Sequence, residues 1–268
     1  MSHGQNGFYK PEEAIFHNDG REERLLEFIR THKNYSKMQG NPEIVLAAID
    51  EYGRTSDFLM NVGIEKGRIV AEDLIPKFEP DLMVELGGYV GYSALLFGAA
   101  LKRVNGRKYL SLEASPKFAA ISNALVELAG LDDVVEIRVG PCRDSLRKLR
   151  KEYPTGVVDV FFIDHAKLEY VNDLKLCEEL GLVGVGTTVI ADNVISPGVP
   201  DYLKYVQSST SAKVAKAQEE KTPHVPTETD KSFGNPYVVY ESSLLESFEP
   251  TGEPDSLEVS TCVRIESH

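Results

Sequence analysis

The sequence is poor in cysteine and in positive charge, and it has no tryptophan. Its three cysteines, Cys142, Cys177 and Cys262, are odd in number and far apart. None forms a C-x-x-C pair, which argues against a zinc site or a disulfide framework and fits a reducing, cytoplasmic compartment. Lysine and arginine number 29 against 42 acidic residues, a formal net charge of −13. Nucleic acid and anionic membrane both require a basic face, so neither is expected as a partner. Long apolar runs are missing too. The longest uncharged stretch, residues 86–101, is glycine-rich and shorter than the ~20 residues a bilayer span needs. The first residues are polar and carry no apolar signal core, so no targeting segment and no membrane association are expected.

What remains is 268 residues with 42% hydrophobic content, enough for one sizeable α/β domain. The organising stretch is Val84-Glu85-Leu86-Gly87-Gly88-Tyr89-Val90-Gly91-Tyr92-Ser93. Residues 81–86 read as a buried parallel strand behind Pro80. The glycines let the backbone turn tightly and let a ligand approach it. A helix over residues 92–102 then aims its first amides at whatever lies over the turn. The next strand, 108–112, ends in Glu113, an acid placed to hold the two hydroxyls of a ribose. The glycine spacing is E-x-G-G-x-x-G, not the G-x-G-x-x-G of a dinucleotide site. An acid two residues before the turn repels a pyrophosphate and attracts a cation. S-adenosylmethionine, with an ammonium, a sulfonium and no phosphate, suits it; the plain alternative is a solvated strand end beside an ordinary tight turn.

Before this stretch, Asp19 can cap a helix over residues 21–32, and Asn41-Pro42-Glu43 starts another that Gly53 can end. A helix over 67–77 leads into the first strand. Residues 1–57 thus make an N-terminal helical cap. Afterwards strands (134–139, 157–163, 187–191) alternate with helices (116–129, 144–152, 168–180, 200–207), the pattern of a doubly wound parallel sheet. Residues 208–235 are rich in Lys, Glu, Thr and Ser and poor in large apolar side chains, and read as a flexible surface insertion, with or without a role of its own. Residues 237–240 and 257–265 have strand character around a 250–254 turn, so an antiparallel pair closes the chain.

Ligands of open α/β sheets bind beyond the carboxyl ends of the strands. Glu85, Glu113, Asp164, Asp192 and Asn193 all fall there. Asp164, Asp192 and Asn193 offer only hard oxygens, a set that suits Mg²⁺. Any one of them alone could equally cap a helix; three after two consecutive strands point to a metal. Lys167 follows Asp164 by three residues. A lysine beside a divalent cation gives up its proton more readily and can serve as a base. His165 could be a base, or could pack against a flat cofactor ring.

Taken together, Met60-Asn61-Val62-Gly63, Glu85-Leu86-Gly87, Gly91-Tyr92-Ser93, Ala129-Gly130-Leu131, Asp164-His165, Lys167 and Ala191-Asp192-Asn193-Val194-Ile195 resemble the catechol O-methyltransferase family. The resemblance runs over about residues 21–206 and resumes near 242–263. It implies a Rossmann-like, seven-stranded sheet with helices on both faces and a terminal antiparallel strand. It implies methyl transfer from S-adenosylmethionine to one hydroxyl of a Mg²⁺-chelated catechol, in a monomer or weak homodimer. It assigns Asp164, Asp192 and Asn193 to the metal and Lys167 to the base. Val62, Glu85, Gly87, Tyr89, Ser93, Glu113, Cys142 and His165 would line the cofactor site. Phe58, Lys167, Asn193, Pro197 and Glu246 would contact the substrate, with Glu246 the acid that accepts from the second hydroxyl. The chain departs from the family at Ala166, where a tryptophan usually packs on adenine. Cys142 and Arg143 replace a serine and a glutamine, Phe58 an indole, and Phe248 a methionine. These departures leave open a related activity on another vicinal-diol phenol, of caffeoyl or flavonoid type, or a cofactor-binding homologue without turnover.

Overall fold

The computed structural model describes residues 7–220 and 231–267. Among them seven strands form one sheet: β1 Leu82–Leu86, β2 Lys108–Glu113, β3 Val135–Val139, β4 Val160–Ile163, β5 Thr188–Ala191, β6 Val238–Phe248 and β7 Pro254–Ile265. Their order is β3-β2-β1-β4-β5-β7-β6. β1 to β5 are parallel, and β7 runs antiparallel to both β5 and β6. β1 lies between β2 and β4, so the chain winds one way from it and then the other. That reversal opens a crevice at the carboxyl ends of β1 and β4.

Every residue of β1, β4 and β5 is buried, as a strand covered on both faces requires. Alternate side chains feed two separate cores. Met83, Val160, Phe162 and Ile190 join one with α1 (Arg21–Thr31), α3 (Pro42–Thr55), α6 (Tyr92–Arg103) and α7 (Pro116–Ala129). Val84, Leu86, Phe161, Ile163 and Val189 join the other with α8 (Cys142–Glu152), α9 (Tyr170–Glu179) and α10 (Pro200–Val206). A short α2 (Tyr35–Met38) precedes α3. None of the helices among the described residues is long and apolar enough to cross a membrane.

The cap at Asn41 forms: its Oδ1 accepts from the Ile44 N–H at 3.3 Å, with Pro42 in the first turn. Gly53, expected to end α3, lies inside it. A Cβ there would meet the Tyr9 ring at 2.6 Å, so the glycine serves packing rather than termination. Asp19 does not cap α1, whose N-cap is Gly20. Its Oδ1 does accept the N–H of Arg21, the first residue of the helix, at 3.1 Å, together with the Arg21 guanidinium at 2.9 Å. The helix expected from residue 67 starts four residues earlier as α4 (Gly63–Arg68), widens to π geometry over Ile69–Leu74 and closes as α5 (Ile75–Phe78). The wide turns precede Pro76, whose ring cannot sit against the carbonyl four residues back in a regular helix.

The expected flexible insertion is corrected in its first part. Thr210–Glu220 is a helix, α11. Lys213, only 4% exposed, anchors it. Its Nζ donates to the Val238 carbonyl at 3.0 Å and stands 4.7 Å from the ring centres of both Tyr205 and Tyr240. Composition concealed this, because a lysine stem packs as an aliphatic chain. Residues 221–230 lie outside the described residues. Where the chain resumes, Ser232 is buried, with its N–H on Asn172 Oδ1 at 2.9 Å. Lys213→Ala is expected to cost ~1–3 kcal/mol and to speed amide exchange selectively over residues 210–220. Hydrogen-exchange mass spectrometry checks it: unchanged protection there removes the anchor.

Candidate active site

A cavity of about 1160 Å³ opens at the switch point of the sheet. That exceeds the ~300–1,000 Å³ typical of a single small ligand and leaves room for two. Its floor is the set of strand ends: Gly87 and Gly88 after β1, Glu113 ending β2, Asp164 after β4, Asp192 and Asn193 after β5. Phe58, Phe16, His17 and Pro197 wall it. Phe16 and His17 belong to a segment in which the sequence shows no pattern. The buried Arg21 fastens that segment, donating to the carbonyls of Ile15 and Phe58, both at 2.8 Å.

The glycine turn is sterically required. Gly87 has φ +98°, and a Cβ on it would stand 2.4 Å from the Asp164 carbonyl oxygen. Glu113 fixes the turn from the next strand: Oε2 accepts the N–H groups of Gly88 at 3.2 Å and Tyr89 at 2.8 Å, and Oε1 that of Ser115 at 2.7 Å. Burial raises its pKa nonetheless. His165 stacks on Tyr170, with centroids 5.2 Å apart and planes 8° from parallel, and its Nε2 lies 2.9 Å from Asp173 Oδ2. Its Nδ1 is buried without a partner. Asp173 also accepts from Arg143 at 3.1 Å. Burial pushes the thiol of Cys142 well up, so this side of the cavity presents a neutral sulfur.

Of the eight residues expected around a cofactor, Val62, Gly87, Tyr89, Ser93, Glu113, Cys142 and His165 border the cavity. Glu85 does not. It is fully buried behind the turn, where Oε2 accepts from Ser111 at 2.5 Å and Oε1 has no partner. Burial lifts its pKa to about 7. Residue 85 lies inside β1, which is covered on both faces, and the cavity opens only where the strand ends.

The other end of the cavity collects charge. Lys167 Nζ lies 2.9 Å from Asp164 Oδ1, 2.7 Å from Asn193 Oδ1 and 2.8 Å from Tyr170 Oη. Asp192 Oδ1 accepts from Lys66 at 2.5 Å and from the Asn193 N–H at 2.7 Å. Glu249 Oε1 accepts from Lys66 at 2.7 Å and from Asn193 Nδ2 at 2.5 Å. Asp255 Oδ2 completes the circle around Lys66 at 3.0 Å. Burial alone would lower the Lys66 pKa, but the charges of Asp192, Glu249 and Asp255 outweigh it and raise it. Burial holds Asp192 and Glu249 above the usual carboxylate range, while Asp255, where the Lys66 charge and backbone donors outweigh burial, lies below it. An all-oxygen donor set with surplus negative charge fits a hard divalent cation. Asp164 and Asn193 already converge on one positive charge, the Lys167 ammonium.

Glu246, expected to contact the substrate, does not border the cavity, whereas Glu249 does. Glu246 lies within β6 opposite Ser256, exposed and outside the cavity lining. β6 runs antiparallel to β7, as β5 does, so its carboxyl end reaches the same edge as those of β1 to β5. Glu249 follows that end. The strand-end rule applied to β6 selects Glu249, and the signal was in the sequence once β6 was known to continue to Phe248. Lys66 and Asp255 had no such signal.

The profile of a family described as O-methyltransferase matches residues 46–215. The catechol O-methyltransferase of Bos taurus is 38% identical over 201 residues, 75% of this chain and 71% of that protein. That of Mus musculus is 40% identical over 191 residues, 71% of this chain and 69% of that protein. Among solved structures, the fold resembles an O-methyltransferase from Bacillus cereus in complex with SAH, with a TM-score of 0.58 at 19% identity over 92% of this chain and 93% of that one.

The raised pKa of Glu85 has a sign that can be measured. Between the ordinary value of 4.5 and about 7 the native chain holds a proton that the unfolded chain has released. Stability therefore falls as pH rises through that window, by ~3 kcal/mol for this group, and levels off above it. Glu85→Gln lacks this loss, so its stability relative to the parent should rise by that amount between pH 4 and pH 8. Urea unfolding of both proteins across the window checks it; a constant difference contradicts the assignment.

Proposed function

The chain belongs to the O-methyltransferase family, and from that membership we propose that it transfers the methyl group of S-adenosylmethionine to one hydroxyl of a catechol held at a Mg²⁺ ion. One observation carries the acceptor side of this reading: Lys167, Asp164, Asn193, Asp192 and Glu249 form one bonded cluster in the same cavity as the glycine turn. When bound, the cofactor supplies a methyl group on a positively charged sulfur and the cation supplies the charge that favours an ionised acceptor.

This chain's own residues do the rest. Asp164, Asp192 and Asn193 would hold the cation. Lys167 is oriented by the oxygens of Asp164, Asn193 and Tyr170, and would take the acceptor's proton at Nζ. Glu249, beside Asn193, would accept from the hydroxyl that is not methylated. Phe58 and Pro197 would wall the aromatic ring. Glu113 and Ser93 border the part of the cavity where the cofactor's ribose and amino-acid ends would lie, and the buried, unpartnered Nδ1 of His165 would take a bond from it. Such positioning of two reactants is worth up to ~7–11 kcal/mol of the barrier, and a base adds ~10²–10⁴-fold.

The test is a panel of catechols, caffeoyl and flavonoid diols incubated with S-adenosylmethionine, with and without EDTA. Catechol methylation should vanish with EDTA and return with Mg²⁺; no methylation of any simple catechol refutes the reading. Lys167→Ala should lower kcat by ~10²–10⁴-fold with cofactor affinity unchanged by calorimetry. Glu249→Ala should lower kcat/KM by at least tenfold, while Glu246→Ala should leave it within twofold. The opposite ranking would return the acceptor-binding acid to Glu246.

A further inference from the structure

Lys66 takes no direct part in the reaction proposed above. It is 0% exposed and does not border the cavity. Its ammonium has three protons, and three carboxylates receive them: Asp192 at 2.5 Å, Glu249 at 2.7 Å and Asp255 at 3.0 Å. Asp192 follows β5, Glu249 follows β6 and Asp255 lies at the start of β7, so one lysine of α4 joins three chain segments. Each carboxylate in turn holds part of the loop after β5. Asp192 accepts the Asn193 N–H at 2.7 Å, and Glu249 accepts the Asn193 side chain at 2.5 Å. Asp255 Oδ1 accepts the N–H groups of Ile195 at 3.0 Å and Ser196 at 2.8 Å. Without the ammonium, ligating oxygens of these three residues within 4.8 Å of one another would face like charges in a buried site.

We propose that Lys66 is a positioning residue for the acceptor side of the active site: a fixed, buried ammonium that ties Asp192, Glu249 and Asp255 into one frame and so sets where the acceptor's two hydroxyls are held. The inference rests on the function proposed above for the identity of the acceptor. The frame itself rests on the distances alone. It separates two roles that one cluster of acids could blur. Asp164 and Asp192 would attract a cation by their charge, and Asn193 would offer it a neutral carbonyl oxygen. Lys66 repels a cation and therefore contributes only by geometry.

That opposition supplies the test. Lys66→Met keeps the length of the side chain and removes the charge; Lys66→Arg keeps the charge. Three quantities are read on each: Mn²⁺ affinity by calorimetry, affinity for a non-reacting nitrocatechol in the presence of S-adenosylhomocysteine and Mn²⁺, and kcat and KM for a catechol. Lys66→Met removes a charge that repels Mn²⁺ but also loosens Asp192, a proposed ligand, so its Mn²⁺ affinity sets the saturating concentration at which the other two quantities are read. Its nitrocatechol affinity and its kcat/KM at saturating Mn²⁺ should fall by ~10–100-fold, the usual cost of disturbing groups that orient a site's ligands. Lys66→Arg should recover at least part of both. Nitrocatechol affinity within threefold of the parent in Lys66→Met overturns the proposal, as does a loss that saturating Mn²⁺ fully restores.

Should Lys66→Met fail to fold, by circular dichroism and S-adenosylmethionine binding, Asp255→Asn takes its place. It leaves Lys66 paired with Asp192 and Glu249 and weakens both links of residue 255, to Lys66 and to Ile195 and Ser196. A rise in catechol KM of about tenfold at saturating Mn²⁺ is expected there, and an unchanged KM overturns the frame. A parent protein that binds Mn²⁺ and nitrocatechol but methylates no catechol refutes the proposed function, and leaves the two binding comparisons to decide the role of Lys66.

Discussion

Like charges gathered out of water are the constraint on which this structure turns. Asp164, Asp192, Glu249 and Asp255 meet at one edge of the sheet, and Asp192 and Asp255 are almost wholly buried. Two lysines answer them. Lys66 sits beneath the loop and saturates its three protons on carboxylates. Lys167 stands at the cavity, between Asp164 and Asn193. Counting these six side chains as ionised leaves two negative charges, the amount one divalent cation neutralises. Burial, more than this surplus, raises the pKa values of Asp192 and Glu249. A buried ionic cluster gives little net stability, because desolvation offsets attraction. Its value here is geometric: it fixes polar atoms of distant segments within a few ångströms.

The sheet makes that gathering possible. Four parallel strands deliver Gly87, Glu113, Asp164 and Asp192 to a common edge at the point where the winding reverses. The terminal antiparallel pair adds two more acids there, because a hairpin whose second strand runs against β5 has its turn at that same edge. Both ends of the cavity are thus built at one edge of the sheet, from five carboxyl strand ends and the start of β7. They differ in what faces it: backbone amides held by Glu113 around the glycine turn, and a cluster of lysines and carboxylates around Asn193.

Much of this was legible in the chain. The alternation of buried runs with capped helices yields the doubly wound sheet, and Pro116 with Gly130 bounds a helix over the residues observed, Pro116–Ala129. The strand-end rule finds Gly87, Glu113, Asp164, Asp192 and Asn193, all at the cavity. It fails where the strand itself was cut short. With β6 read as ending at residue 240, the acid after its observed end, Glu249, is invisible to the rule, and Glu246 is named only through the family resemblance. Lys66 was illegible for a different reason. Its partners lie 126 to 189 residues away, and a lysine in a short amphipathic stretch looks like any solvated one. Gly53 and Lys213 show the same limit: their roles depend on what crosses them, Tyr9 in one case and two tyrosine rings in the other.

The absence of tryptophan bears on how the flat side of the cavity is held. Ala166 is exposed and offers no ring. The planar surface next to it is His165, and its orientation is fixed twice, by stacking on Tyr170 and by the contact of Nε2 with Asp173. Asp173 is itself held by Arg143, whose other amino group donates to Ser232 at 2.9 Å. Ser232 belongs to the returning arm of the insertion. A chain of hydrogen bonds therefore runs from that arm to the imidazole. In an apolar setting an indole orients a neighbouring ring by area alone; here directional bonds do so, and each fixes an angle as well as a distance. The cavity keeps a rigid planar wall without the large residue usual at that position, and the segment least regular in sequence contributes one end of the chain that holds it.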